Sequence, residues 1–245
     1  MYIRYLVIFF LFLKQGYAQH YSQKTIFASF VSGNIEEWEK PIIHLENASD
    51  LFVNDSLLLT YCNLLYGITG NYIAQENDDA KKFLSKFNNA IAQLKKKTVL
   101  KSYYQSYSAA AAAYDMALYL YKIPFRANTS LSYAYAAVKT DATNPIAWVV
   151  LGNAKYYAPT IFGGDKKKAL IFFYMATKLW EYNKQTDYNW MYINTMAWEG
   201  FINYQLGNFR KAKTIYNETL KIAPEFFWIK NELLPDLENK IKSID

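Results

Sequence analysis

Apolar residues recur three and four positions apart along most of this chain, which is the spacing of one face of an α-helix. The segment from Ala80 to Leu94 is a clear example, because Leu84, Phe87 and Ile91 fall on one face of the helix that it predicts. Only 9 Gly and 6 Pro occur in 245 residues, which argues against a sheet-rich or loop-rich fold. The pattern therefore predicts an all-α fold of about ten or eleven helices.

Two segments, 144–180 and 193–224, repeat one arrangement of small and large residues. The first has Trp148, Leu151 and Gly152 on one predicted helix, with Ala169 and Phe173 on the next. Gly and Ala allow two helices to approach closely, and large side chains fill the space beside them. The second segment carries matching residues on its own pair of helices: Gly200, Tyr204, Gly207, Phe209, Ala212, Tyr216 and the terminating Pro224.

This spacing resembles the tetratricopeptide repeat, a helix-turn-helix unit of about 34 residues marked W-x2-L-G-x2-Y, then A-x3-F, then P. Met196 and Glu199 depart from the pattern, since Trp and Leu are usual at those positions. The resemblance implies one α-solenoid domain over residues 20–245, built from stacked antiparallel helical hairpins. Residues 225–245 would form a last helix that caps the exposed apolar end of the stack.

The first 19 residues have the order of a secretory signal peptide. Arg4 precedes an apolar run from Tyr5 to Leu13, and Gly16-Tyr17-Ala18 supplies small residues for cleavage after Ala18 or Gln19. The run is shorter than the ~20 residues that a membrane span needs. We therefore expect an exported protein, periplasmic or secreted, with no membrane span after signal removal. Its one cysteine, Cys62, lies among leucines and is expected to be an inert core residue.

The net charge and the lack of catalytic or metal-binding motifs argue against several classes of function. The formal charge of +6 is modest and Lys is scattered among acidic residues, so nucleic acid is not an expected partner. Two His and one Cys cannot form a His/Cys metal cluster, and the common catalytic motifs do not occur. We therefore expect no metal, no cofactor and no catalysis, and a function in binding.

One loop has two interpretations. Phe162-Gly163-Gly164-Asp165 precedes Lys166-Lys167-Lys168 and suggests either an anion site at a helix N-terminus or a structural turn. We favour the turn, in which Gly163 and Gly164 permit positive φ and Asp165 caps the helix, because Asp165 would then occupy the donors that an anion needs. The loop also resembles a Pro-x-x-x-Gly-Gly-Asp insertion of some exported bacterial tetratricopeptide proteins, among them helical subunits of TRAP transporters, with Pro159 five positions before Gly164.

The tetratricopeptide resemblance also implies a binding groove, because the first helix of each unit lines a concave surface in that family. The residues carried over to it are Asn153, Tyr156 and Tyr157 from one unit and Asn194, Phe201 and Gln205 from the next. An aromatic groove suits a peptide or protein partner, while the alternative is that these rings only pack helix against helix. A second functional hypothesis is a subunit of a solute-uptake system that encloses or hands over a small ligand.

Overall fold

A computed structural model describes residues 23–243, apart from the side chains of Ile35 and Phe162. The predicted signal peptide, residues 1–19, lies outside the described residues. Every regular element within them is helical, which confirms the predicted all-α fold. The helices are α1 (23–32), α2 (Glu39–Glu46), α3 (Asp55–Ala74), α4 (Ala80–Leu94), α5 (Lys101–Leu118), α6 (Ile123–Thr140), α7 (Pro145–Tyr157), α8 (Lys166–Tyr182), α9 (Trp190–Gln205), α10 (Phe209–Ile222) and α11 (Leu234–Lys242), with short 3-10 turns between several of them.

The helices pack mainly in consecutive pairs, α3 with α4, α5 with α6, α7 with α8, and α9 with α10. A short connection joins the two members of each pair, so each pair forms an antiparallel hairpin. Asn54 and Asn144 cap the first turns of α3 and α7 by accepting backbone hydrogen bonds. None of the helices within the described range is long and apolar enough to cross a membrane.

Small residues bring the helices of a hairpin together. A Cβ on Gly152 of α7 would lie 3.2 Å from the Phe173 ring of α8. A Cβ on Gly200 of α9 would lie only 2.3 Å from the Tyr216 ring of α10. Both rings are fully buried, so the small-to-large arrangement seen in the sequence is the packing between the paired helices.

The first helices of the hairpins also contact one another, and Tyr66 of α3 lies where they meet. Its hydroxyl accepts a hydrogen bond from Asn153 Nδ2 of α7 at 2.9 Å. Its carbonyl oxygen accepts one from the Tyr114 hydroxyl of α5, and its ring stacks 6.3 Å from Trp190 of α9. Helix α3 therefore reaches α5, α7 and α9, and side chains fill the space between these helices.

Helix α1 is fixed against the later part of the chain. The Phe30 ring lies 5.3 Å from the Trp190 ring and 5.1 Å from the Phe226 ring, which follows α10. Trp38 adds a second link, since its indole N–H donates to the Ile26 carbonyl and its ring lies 4.9 Å from Trp190. The two ends of the described chain thus share one aromatic core.

Helix α6 begins at Ile123, with Pro124 in its first turn. The first turn of a helix needs no intrahelical N–H donor, so proline is tolerated there. Near the C-terminal end, a π-helical turn at Ile229–Leu233 directly precedes α11, which carries Pro235 in its first turn. The regular α-helix is thus interrupted next to this proline.

Candidate functional site

The last turns of α7 and α9 lie side by side. The Tyr156 hydroxyl of α7 donates to Gln205 Oε1 at the end of α9, at 3.1 Å. Because both residues come from the final turn of their helices, α7 and α9 run in the same direction, as the first helices of stacked hairpins do. This contact places the side chains of two successive hairpins on one surface.

Five aromatic side chains form a continuous cluster on that surface, and we call it the aromatic patch: Tyr156, Tyr157, Trp198, Phe201 and Trp228. Trp198 is its centre, with ring centroids 5.0 Å from Tyr156, 5.5 Å from Phe201 and 5.6 Å from Trp228. Most of these pairs are edge-to-face or tilted, which is the arrangement that aromatic quadrupoles favour.

The patch is open on one side and supported on the other. Tyr157 is 67% exposed, and the remaining four rings are half-buried. Beneath them the fully buried Phe173 of α8 stacks on Trp198, with centroids 6.2 Å apart and ring planes 16° apart. Packing from below restricts the rings to few orientations, so the patch is a pre-formed apolar surface.

Polar groups border the rings. The Lys166 ammonium lies 5.6 Å from the Tyr156 ring centroid, within the range of a cation–π contact. The exposed Gln205 side chain accepts its hydrogen bond from Tyr156 through Oε1, and its amide nitrogen has no partner within residues 23–243. The border therefore offers one cation and one amide donor.

The Gly-Gly-Asp loop next to the patch has the geometry of a structural turn. Gly163 has φ +83°, as expected, whereas Gly164 does not adopt a positive φ. Gly164 is needed for space instead, because a Cβ there would lie 1.8 Å from the Ala158 carbonyl oxygen. The Asp165 carboxylate accepts a hydrogen bond from the Lys168 backbone N–H at 3.0 Å, and this bond lowers the pKa of the carboxyl group. The buried Lys155 ammonium donates to the Gly163 carbonyl and fixes the loop to α7.

The structure brings four of the six groove residues from the sequence together: Tyr156, Tyr157, Phe201 and Gln205. Asn153 is instead occupied by its hydrogen bond to the Tyr66 hydroxyl. Asn194 is half-buried one helical turn before Trp198 and forms no hydrogen bond within the described residues. The six predicted groove residues are therefore split between the patch and the helix packing beneath it.

Sequence reasoning missed Trp198 and Trp228. Trp198 precedes Phe201 by three positions on α9, so helical spacing places the two on one face and was a usable signal. Trp228 lies beyond α10, and only the three-dimensional path of the chain brings it to Trp198. No local pattern marks it.

A buried carboxyl group with a raised pKa, that of Glu199, lies outside the aromatic patch. Glu199 of α9 is only 6% exposed, and burial raises the pKa of its carboxyl group to about 7. Its carboxylate accepts a hydrogen bond from the Thr177 hydroxyl of α8, so it points into the helix packing. Within residues 23–243, no group of three or more His, Cys, Asp or Glu side chains is placed to hold a metal ion. The patch itself presents rings, an amide and an ammonium group, which are suited to non-covalent recognition.

Comparison with family models, with curated proteins and with solved structures finds no match to this chain. The resemblance to the tetratricopeptide repeat rests on the residue spacing described above.

Proposed function

We propose that this protein is an exported, tetratricopeptide-like binding protein that recognises a peptide or protein partner at the aromatic patch. The observation that carries the proposal is the surface itself, in which four half-buried rings and one exposed ring form one cluster whose central ring, Trp198, stacks on the buried Phe173. Catalysis has no part in the proposal.

The physical basis is the large contact area that these rings offer at low entropic cost. Aromatic side chains bury roughly 150–250 Å² each when they are fully covered. Tyr and Trp are also enriched among interface residues whose truncation costs ~2 kcal/mol or more. The rings of Trp198 and Phe201 already pack against neighbours, so a partner would immobilise few further side chains.

The border of the patch favours an extended peptide over a purely apolar ligand. The Gln205 amide nitrogen is available to donate to a main-chain carbonyl. Lys166 stands over Tyr156 and would favour an acidic side chain close to an aromatic contact. A ligand with apolar, peptide-backbone and acidic groups satisfies all three features of the surface.

The test is selection of peptides from a displayed random library on the purified full chain, followed by titration of the selected peptides. Tyr157→Ala and Trp228→Ala should each weaken binding by roughly 30-fold, which corresponds to the loss of a hot-spot residue of ~2 kcal/mol. The matched control is Tyr182→Ala, because Tyr182 is a comparably exposed tyrosine (84%) at the end of α8, away from the patch. It should bind as wild type.

Peptides that bind both patch variants and wild type equally would place the recognition site elsewhere. Tyr157 is largely exposed, so Tyr157→Ala should keep its melting temperature and separates lost binding from lost folding. If no peptide is selected and a small solute binds tightly instead, the solute-uptake hypothesis replaces this one.

A further inference from the structure

Helices α3, α5, α7 and α9 all end at one end of the molecule, and three of the connections there form a region that we call the hairpin end: residues 118–126, 157–168 and 205–211. Each helix from α5 to α9 packs against the next and is joined to it by a short connection, so α5, α7 and α9 run in the same direction. The hydrogen bond between Tyr156 and Gln205 brings the ends of α7 and α9 side by side. The turns that follow these three helices therefore face the same direction.

Large apolar side chains are exposed at the hairpin end. Leu120 and Tyr121 are each 71% exposed, Phe125 is 79% exposed and Ile161 is 86% exposed. Single exposed apolar residues are common in soluble proteins, but here four of them lie on two neighbouring connections. Four exposed apolar side chains therefore lie at the tips of two adjacent hairpins.

The tip that carries Leu120, Tyr121 and Phe125 is held in place. The Lys122 ammonium lies 4.3 Å from the Tyr119 ring centroid and forms an ion pair with Asp115 at 2.7 Å. These contacts fix the turn and leave the three apolar side chains outside it.

Basic residues occupy the first turns of the helices that start at the hairpin end. They are Arg126 in α6, Lys166 and Lys167 in α8, and Arg210 and Lys211 in α10. The helix dipole disfavours cations at an N-terminus, and only Arg126 among these residues has an ion-pair partner within the described residues, Asp115. Lys167, Arg210 and Lys211 are exposed and form no ion pair within the described residues. The α3–α4 connection differs, because Glu76, Asp78 and Asp79 offset its lysines.

We propose that the hairpin end docks on an anionic phospholipid membrane, with Leu120, Tyr121, Phe125 and Ile161 inserted at the interface and the basic first turns against the headgroups. Separately exposed side chains on a turn fit a deformable surface better than a rigid protein groove. Apolar and aromatic side chains flanked by Lys and Arg are the combination that binds at lipid interfaces, where aromatic rings lie at headgroup level. The attachment is peripheral, and its four apolar anchors lie outside the aromatic patch.

The test is co-sedimentation of the full chain with vesicles made of equal parts phosphatidylglycerol and phosphatidylcholine. Leu120→Ser combined with Phe125→Ser should lower the vesicle binding constant at least tenfold, since two apolar anchors are removed. The matched control is Val53→Ser combined with Val99→Ser, because these valines are 75% and 79% exposed at the opposite end of the stack. It should bind as wild type. All variants share residues 1–22, so any lipid affinity of that segment cancels in the comparison.

The contribution of the basic residues to vesicle binding is tested in the same assay with charge-reversal variants. Lys167→Glu combined with Arg210→Glu should weaken binding by roughly tenfold or more, in line with about fivefold per basic residue at an anionic surface. Lys95→Glu combined with Lys96→Glu, at the opposite end, is the control. Vesicles of phosphatidylcholine alone should bind wild type weakly.

Three outcomes would overturn the proposal. The tip variants could bind vesicles as well as wild type does, or substitutions at the two ends of the stack could weaken vesicle binding equally. Vesicle binding could also be the same with and without phosphatidylglycerol. If wild type does not bind vesicles but self-associates on size-exclusion chromatography, and the tip variant is monomeric, the hairpin end is an interface between copies of this chain instead.

Discussion

Substitution of Glu199 by Gln should make the protein more stable at alkaline pH. Glu199 is a buried carboxyl group on α9, where the tetratricopeptide pattern has Leu. Burial raises its pKa from 4.5 to about 7, against the opposing effects of the Thr177 hydrogen bond and of Lys178 and Lys211. Glu181 adds a smaller contribution that also raises the pKa. The folded protein therefore binds this proton more tightly than the unfolded chain does.

The sign and size of the expected stability change follow from the linkage between proton binding and folding. Because the folded pKa is the higher one, the stabilising contribution of the protonated carboxyl group is fully present below pH 4.5. It is lost as pH rises towards 7. A shift of roughly two and a half pKa units corresponds to about 3 kcal/mol of unfolding free energy. Gln can still accept the Thr177 hydrogen bond but has two amide hydrogens to satisfy, so we expect a gain of about 2 kcal/mol at pH 8.

The assay is urea unfolding of wild type and Glu199→Gln at several pH values from 4.5 to 8. Other groups titrate in the same range, so the informative quantity is the difference in unfolding free energy between the two proteins. That difference should be small at pH 4.5 and favour the variant increasingly up to pH 7. A difference that stays constant with pH would show that Glu199 is not protonated by burial, and the reasoning would fail.

Two further substitutions test the packing and the loop. Gly200→Ala should lower the unfolding free energy by about 2 kcal/mol, because its Cβ would lie 2.3 Å from the buried Tyr216 ring. Gly152→Ala, whose Cβ would lie 3.2 Å from Phe173, should lose less, and equal losses would contradict this explanation. Asp165→Ala should lower the melting temperature, whereas Asp165→Asn should keep it, because an amide oxygen can still accept from the Lys168 N–H. If Asp165→Ala melts as wild type but loses a ligand, the loop is an anion site.

Helical periodicity predicted the fold class well because it reports which face of a helix is buried. Leu84, Phe87 and Ile91 lie on one predicted face of α4 and are all buried. Cys62 is fully buried, and burial raises the pKa of its thiol, as expected for a core residue. Such local patterns do not specify how hairpins stack, so the contact of α3 with α7 and α9 through Tyr66 could not be predicted.

Helical periodicity also predicted part of the candidate site, because it identifies side chains that share one face of a helix. Tyr156 and Phe201 were found because each lies on a recognisable face of its own helix. Asn153 has the same spacing, yet its amide is directed to Tyr66, which is distant in sequence. Trp228 joins the patch from beyond α10, and no periodic signal connects it to α9. Trp198 could have been found from its spacing to Phe201, whereas Trp228 depends on the path of the chain and could not.

The two proposed surfaces adjoin but depend on different forces, so they can be separated experimentally. The two surfaces share an edge, since Tyr157, Lys166 and Gln205 belong to the hairpin end and also lie in or beside the aromatic patch. Contact between rings and a partner depends on apolar area and responds little to salt. Docking of exposed cations on an anionic membrane is screened within about 8 Å at physiological ionic strength. Added salt should therefore release the protein from vesicles while its affinity for a peptide is largely kept. The double variant Lys167→Glu with Arg210→Glu should likewise lose vesicle binding and keep peptide binding. A partner held at the patch would then be presented beside the membrane surface.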